Sequence, residues 1–170
     1  GIYSVAARLA LLTSFFLYVT NAAIAPKLAS LFHESKIIEM QLMVKSVTKG
    51  LAFGAFLFVI FFLVLGQWLL GFWGTEFRDA YWILLILVIG QFFNIATGCS
   101  GILLVMCGYE KIHGCISLIS VFLNIILNVI LITKYAALGA AMATAITVIL
   151  ENTTKVVLAR RKTNILTLPF

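Results

Sequence analysis

Charge is scarce in this chain. Only 11% of its 170 residues are Asp, Glu, Lys or Arg, against about 25% in an ordinary soluble domain. Asp79 is the lone aspartate, so no aspartate pair can form within a membrane segment. His33 and His113 are the only histidines. There is no HExxH, no lysine-bearing phosphate loop and no GxSxG. The three cysteines, Cys99, Cys107 and Cys115, fit neither a metal-ligand spacing nor a disulfide framework. They read as small core residues. No strand alternation is present, which excludes a closed barrel. The expectation is therefore a protein that is not an enzyme, with no catalytic residue, no metal and no cofactor.

Apolar residues are abundant. They make up 63% of the chain, and the mean hydropathy is +1.14. Such a chain has hydrocarbon for most of its solvent. A crossing helix needs about 20 apolar residues. Runs of that length occupy about 5–25, 47–70, 80–107, 113–132 and 137–158. The expected fold class is all-α, a polytopic transmembrane bundle of about five spanning helices. The sequence starts at Gly1, without Met or a signal-peptide pattern, so helices are expected upstream.

A net charge of +6 would suggest nucleic acid in a soluble protein. Here the positive-inside rule explains it, and no nucleic-acid partner is expected. Lys27, Lys36, Lys45, Lys49, Lys111, Lys155, Arg160, Arg161 and Lys162 fall on one side of the expected spans. Arg8, Arg78 and Lys134 fall on the other. This asymmetry places the 26–50 connection and a 163–170 tail in the cytoplasm, with residue 1 outside.

Along the chain, Pro26 should end the first helix, because a residue before proline is pushed out of helical geometry. An amphipathic interfacial helix is expected over about 28–42, with His33 solvated at the interface. Gly50 and Gly54 form a small-xxx-small pair suited to close helix contact. Glu76, Arg78 and Asp79 read as a solvated outer turn, and 107–111 as a tight inner turn. His113 reads as interfacial. Glu151 and Lys155 have the favourable order for a helical ion pair. The sequon at Asn152 is dismissed, because it lies at an inner helix end.

Polar residues inside the spans mark candidate sites, because they normally face protein or a water-filled cavity. Gln91, Asn94 and Gly98 share a face, which can line a cavity or hold helices together. Asn124 and Asn128 sit four apart on one face. The stretch 116–146 reads as two apolar helices separated by a break at 133–135. Gly139, Ala140, Ala141, Ala143 and Ala145 leave the second helix nearly bare for close approach. Asn21 lies near the inner end of the first span. Arg8 lies within that span, with no acidic residue three or four positions away.

Several stretches carry a resemblance. GIYSVAARLALL resembles the G-x-Y-x-x-A-x-[RK]-[LI] pattern of bacterial polysaccharide (O-antigen) flippases. These belong to the multidrug/oligosaccharidyl-lipid/polysaccharide exporter superfamily. NAAIAPKLASLF looks like their Pro-bearing helix exit, and WILLILVIGQFFNIATGCSGILLVMCGYEK is similar to their helix with a small-residue patch. LNIILNVILITKYAALGAAMATAIT is similar to N-x-x-L-N-x-x-L-I-x-x-x-G-x-x-G-A-A-x-A-T, with Tyr135-Ala136 where the first of those glycines is usual. The likeness runs from residue 1 to about 161.

The resemblance implies the last five of about twelve helices, most of a second lobe, with the N-terminal lobe missing. It implies flipping of an undecaprenyl diphosphate-linked oligosaccharide across the bacterial inner membrane by alternating access. Membrane lipids are the other implied partners. Arg8, Asn21, Gln91, Asn94, Asn124 and Asn128 would be substrate-binding, and Glu151 ion-coupling. A multidrug or cation antiporter of the same superfamily is the near alternative. An integral membrane glycosyl- or acyltransferase is the distant one.

Overall fold

The computed structural model describes residues 2–169, without the side chains of residues 2, 75 and 76. The expectations for residue 1 and for Glu76 lie outside the described residues. All regular elements described are helical: α1 Ile2–Leu12, α2 Ser14–His33, α3 Ile37–Gly71, a 3-10 turn Thr75–Ala80, α4 Tyr81–Ala96, α5 Cys99–Met106 and α6 Glu110–Thr163. The fold is an all-α bundle. Four stretches are long and apolar enough to cross a membrane: Tyr3–His33, Ile37–Gly71, Phe77–Ala96 and Glu110–Thr163.

The last stretch is a hairpin. Ala136 leaves helical geometry at φ 48°, ψ −127°. The two arms, 110–135 and 137–163, then run back along each other. Asn124 Nδ2 donates to Thr147 Oγ1 at 3.3 Å and Ser117 Oγ to Glu151 Oε1 at 2.9 Å. The expected break at 133–135 is thus a reversal just beyond it. Gly139 is required there, because a Cβ would overlap the Leu131 carbonyl.

Helix α4 sits at the centre and packs against α1, α2, α3 and α6. Its glycine sets the closest approach: a Cβ on Gly90 would lie 3.1 Å from Ala145 Cα. Gly139, Ala141, Ala143 and Ala145 are all buried, so the bare face of the second arm is a packing face as expected. The third run bends between α4 and α5. Thr97 Oγ1 donates back to the Phe93 carbonyl at 2.6 Å, and a Cβ on Gly98 would overlap Leu17.

Pro26 does not end a helix. It lies inside α2, which continues to His33. An interior proline costs about 3 kcal/mol. Beyond it, Leu28 and Leu31 are 0% and 2% exposed. Burying two leucines at about 1.5–3 kcal/mol each offsets that cost.

The single helix expected over 28–42 is also corrected. Ser35 takes φ 56°, and Lys36 N–H bonds the Leu31 carbonyl at 2.9 Å. This left-handed cap splits the stretch into two helices that fold against each other. Leu28 and Leu31 from one, and Met40 and Val44 from the other, enter a shared core. Lys36 pairs with Glu34 at 2.7 Å and holds that carboxyl below its ordinary range. His33 is exposed, as expected.

The tight turn at 107–111 is present. Gly108 takes φ 81°, and Tyr109 N–H reaches the Leu104 carbonyl at 2.8 Å. Beyond α6 the chain packs back on the bundle, with Ile165 and Thr167 both fully buried. Gly50 and Gly54 make no close helix contact among the described residues. They open instead onto an apolar groove of about 740 Å³ between α2 and α3. Cys99 and Cys107 are core residues, whereas Cys115 is exposed. Arg78 and Asp79 are exposed in the turn before α4.

Chain reversals at 34–36 and 107–109 lie at one end of the bundle with the C-terminal segment. Those at 72–80 and Ala136 lie at the other. Lys162 stands 5.9 Å from the centre of the Tyr109 ring, and Leu31, Cys107 and Ile165 share one core, which together fix the first grouping. Helix α3 has 35 residues, about 52 Å at 1.5 Å each. It is longer than a hydrocarbon core of about 30 Å. Its Lys45 and Lys49 therefore extend toward the cation-rich end.

Candidate functional site

Polar side chains meet along α4 where it touches α2 and the second arm of α6. Ser14 Oγ donates to Gln91 Oε1 at 2.5 Å. Asn94 Nδ2 donates to the same oxygen at 3.1 Å. Asn152 Nδ2 donates to Asn94 Oδ1 at 3.2 Å and also to its own-helix Val148 carbonyl at 2.9 Å. The chain Ser14–Gln91–Asn94–Asn152 thus stitches three helices together. Gln91 and Asn152 are buried and Asn94 is half-buried. Gln91 and Asn94 come together as their spacing suggested, with their hydrogen bonds spent between helices.

Toward the cation-rich end lies a charged cluster. Lys155 is buried and pairs with Glu151 at 2.6 Å. Ser117 from the facing arm donates to the same Glu151 oxygen. His113 approaches from that arm as well. A Cβ on Gly101 would meet His113 Nε2 at 3.1 Å and Lys155 Cδ at 3.9 Å. His113 is therefore packed against α5 and not merely interfacial. A buried ammonium in a bilayer needs such a partner, since an unpaired one costs at least about 2.5–3.5 kcal/mol.

Toward the other end, Asn128 Nδ2 donates to the Asn124 carbonyl at 2.8 Å and to Asn124 Oδ1 at 2.9 Å. The pair lies at the seam of the hairpin, through Thr147. Thr144 and Thr147 donate to carbonyls one turn back at 2.9 and 2.8 Å. Such bonds let hydroxyls lie in hydrocarbon. Asn21 Nδ2 reaches the Gly98 carbonyl at 3.3 Å, while its buried Oδ1 has no partner.

Arg8 stands apart. It is exposed on α1 between the buried Ala6 and Ala10. No hydrogen bond or ion pair is formed by its guanidinium among the described residues. The candidates therefore do not form one site. Gln91 and Asn94 form one group, Asn124 and Asn128 a second, Glu151 a third, and Arg8 and Asn21 stand separately.

Two members were missed from the sequence. Asn152 was legible only as a sequon, although it lies one position from Glu151 and joins α6 to α4. Ser14 is the other, with no signal in sequence to set it apart from any helix hydroxyl. The Glu151–Lys155 pair, by contrast, was expected from its i, i+4 spacing and is formed. Among the described residues no three His, Cys, Asp or Glu side chains are grouped to hold a metal.

The chain is similar to the capsular polysaccharide biosynthesis protein CapF of Staphylococcus aureus. The two are 31% identical over 147 residues, which covers 86% of this chain and 37% of that protein. The chain thus spans little more than a third of the relative's length. No protein-family description and no solved structure matches it.

Proposed function

We propose that this chain forms part of a polysaccharide-precursor flippase in the bacterial cytoplasmic membrane. It would move an undecaprenyl diphosphate-linked oligosaccharide from the inner to the outer leaflet by alternating access. The observation that carries this reading is a likeness to a capsular polysaccharide biosynthesis protein over 86% of the chain, joined to a bundle of membrane-length helices. A saccharide headgroup needs polar company while it crosses hydrocarbon. Arg8, and Asn21 through its unpartnered Oδ1, are the groups available for it. A guanidinium suits the diphosphate because its planar donors bind phosphate in pairs. In this reading the protein is not an enzyme, and its C-terminus is cytoplasmic by the cation asymmetry.

The test is the fate of the lipid-linked oligosaccharide in a strain lacking the full-length gene. Intermediates complete in sugar and confined to the inner leaflet support a flippase. Truncated saccharides would identify a transferase and end the proposal.

The Glu151–Lys155 pair gives weight to a second reading, an ion-coupled antiporter of the same superfamily. An internal carboxylate is what proton or cation coupling requires. Binding of an organic cation by the purified full-length protein, lost in Glu151→Gln, would favour it.

A further inference from the structure

A groove of about 870 Å³ opens at the cation-rich end, between α4 and the end of α6. Its walls are Phe92 and Phe93 from α4, Val157 from α6, and Leu166 and Leu168 from the C-terminal segment. That segment forms a wall because Ile165 and Thr167 anchor it, both fully buried. Arg160 and Arg161 also line the groove, and both are exposed. Their charges are uncommitted. The described ion pairs are Lys36–Glu34 and Lys155–Glu151, and neither arginine has an acidic partner among the described residues. Their neighbour Lys162 is turned away, over the Tyr109 ring.

We propose that this groove binds an anionic phospholipid, its acyl chain along Phe93 and Val157 and its phosphate held by Arg160 and Arg161. The charge complementarity selects this occupant. A zwitterionic lipid offers the phosphate with a cation beside it, which two guanidinium groups repel. A neutral apolar helix would leave both arginines unanswered. Basic pockets between helices on the cytoplasmic side suit anionic headgroups, and planar guanidinium donors match phosphate oxygens. The volume falls within the range of about 300–1,000 Å³ usual for ligand sites. The proposal is independent of what the protein transports.

The experiment is native mass spectrometry of the full-length chain in detergent, titrated with phosphatidylglycerol or phosphatidylcholine. The parent should retain one phosphatidylglycerol in preference to phosphatidylcholine. Each cation near a membrane surface contributes about 1 kcal/mol to an anionic lipid, so R160Q/R161Q should bind it roughly thirtyfold more weakly. Phosphatidylcholine binding should not change. Val157→Trp should also lose the lipid, with both arginines intact. Unchanged retention in either variant overturns the proposal. So does full competition by soluble glycerol phosphate, which would show a phosphate site without a lipid. A parent that retains no lipid would show the groove filled by another part of the chain, and that too overturns it.

Discussion

Asn152 Nδ2 donates to Asn94 Oδ1 at 3.2 Å, across 58 residues of sequence. The bond ties the C-terminal arm of α6 to the central helix. Interhelical hydrogen bonds in membranes are worth about 0.6 kcal/mol on average and at most about 1.7. A double-mutant cycle with Asn94→Leu and Asn152→Leu should return a coupling in that range. Reversible unfolding in detergent would measure it. Zero coupling would mean that each asparagine is satisfied elsewhere.

Gly90 and Ala145 let α4 and α6 approach closely, and a Cβ on Gly90 would lie 3.1 Å from Ala145 Cα. Neither side is a flexible chain end that can swing aside. Gly90→Val should therefore destabilise by about 1–3 kcal/mol, the ordinary cost of overpacking. Ala143→Leu, at a position fully buried in the same arm, should do the same. Unaltered melting of both variants in detergent would place this face toward lipid.

Ala136 has φ 48° and ψ −127°. This is the first central position of a type II′ turn, which glycine occupies by preference. An alanine held there is strained by about 1–2 kcal/mol. Ala136→Gly should raise stability by about 1 kcal/mol after the added freedom of the unfolded chain is subtracted. Gly139→Ala, three residues on, should lower it, because its Cβ overlaps the Leu131 carbonyl. Opposite signs for the two substitutions in a thermal melt are the expected result. A loss from Ala136→Gly would mean that the reversal takes another shape.

The hairpin and its glycines were legible because hydropathy and small-residue runs act locally. So was the turn around Gly108, where one residue supplies the left-handed geometry. The end of α2 was misread for the opposite reason: what carries the helix past Pro26 is the burial of Leu28 and Leu31 against α3. The stretch 28–42 failed similarly. Its apolar spacing is helical throughout, yet Ser35 breaks it so that Met40 and Val44 can fold back onto the same core. For the candidate site, the polar types and the face shared by Gln91 and Asn94 were readable. Their partners Ser14 and Asn152 were not, because those pairings are set by how the helices pack.

Orientation across the membrane has a direct check. The cation-rich end should face the cytoplasm. Cysteines at Ser35 and Lys162, both exposed at that end, should resist impermeant thiol reagents in intact cells. A cysteine at the exposed Asp79, at the opposite end, should react. A full reversal of that pattern would invert the proposed topology and with it the direction of transport.

Arg8 offers the sharpest test of transport. It projects from α1 beside Leu11 and Leu12, which are 56% and 63% exposed. A charge on such a face reaches lipid headgroups, or it faces a polar path completed by other helices. Snorkelling asks only for a long cationic stem near the membrane surface. In that case Lys should replace Arg fully, and Ala should lower membrane insertion more than turnover. Holding a diphosphate asks for more, because the guanidinium fork binds two oxygens at once and an ammonium presents a point charge. In that case Arg8→Ala should abolish export while the protein still accumulates in the membrane, and Arg8→Lys should keep part of it. The measurement is surface polysaccharide in a deletion strain carrying each full-length variant, normalised to membrane protein. Export by Arg8→Ala at the parental level would reduce Arg8 to an interfacial anchor and leave the substrate's phosphates to other residues.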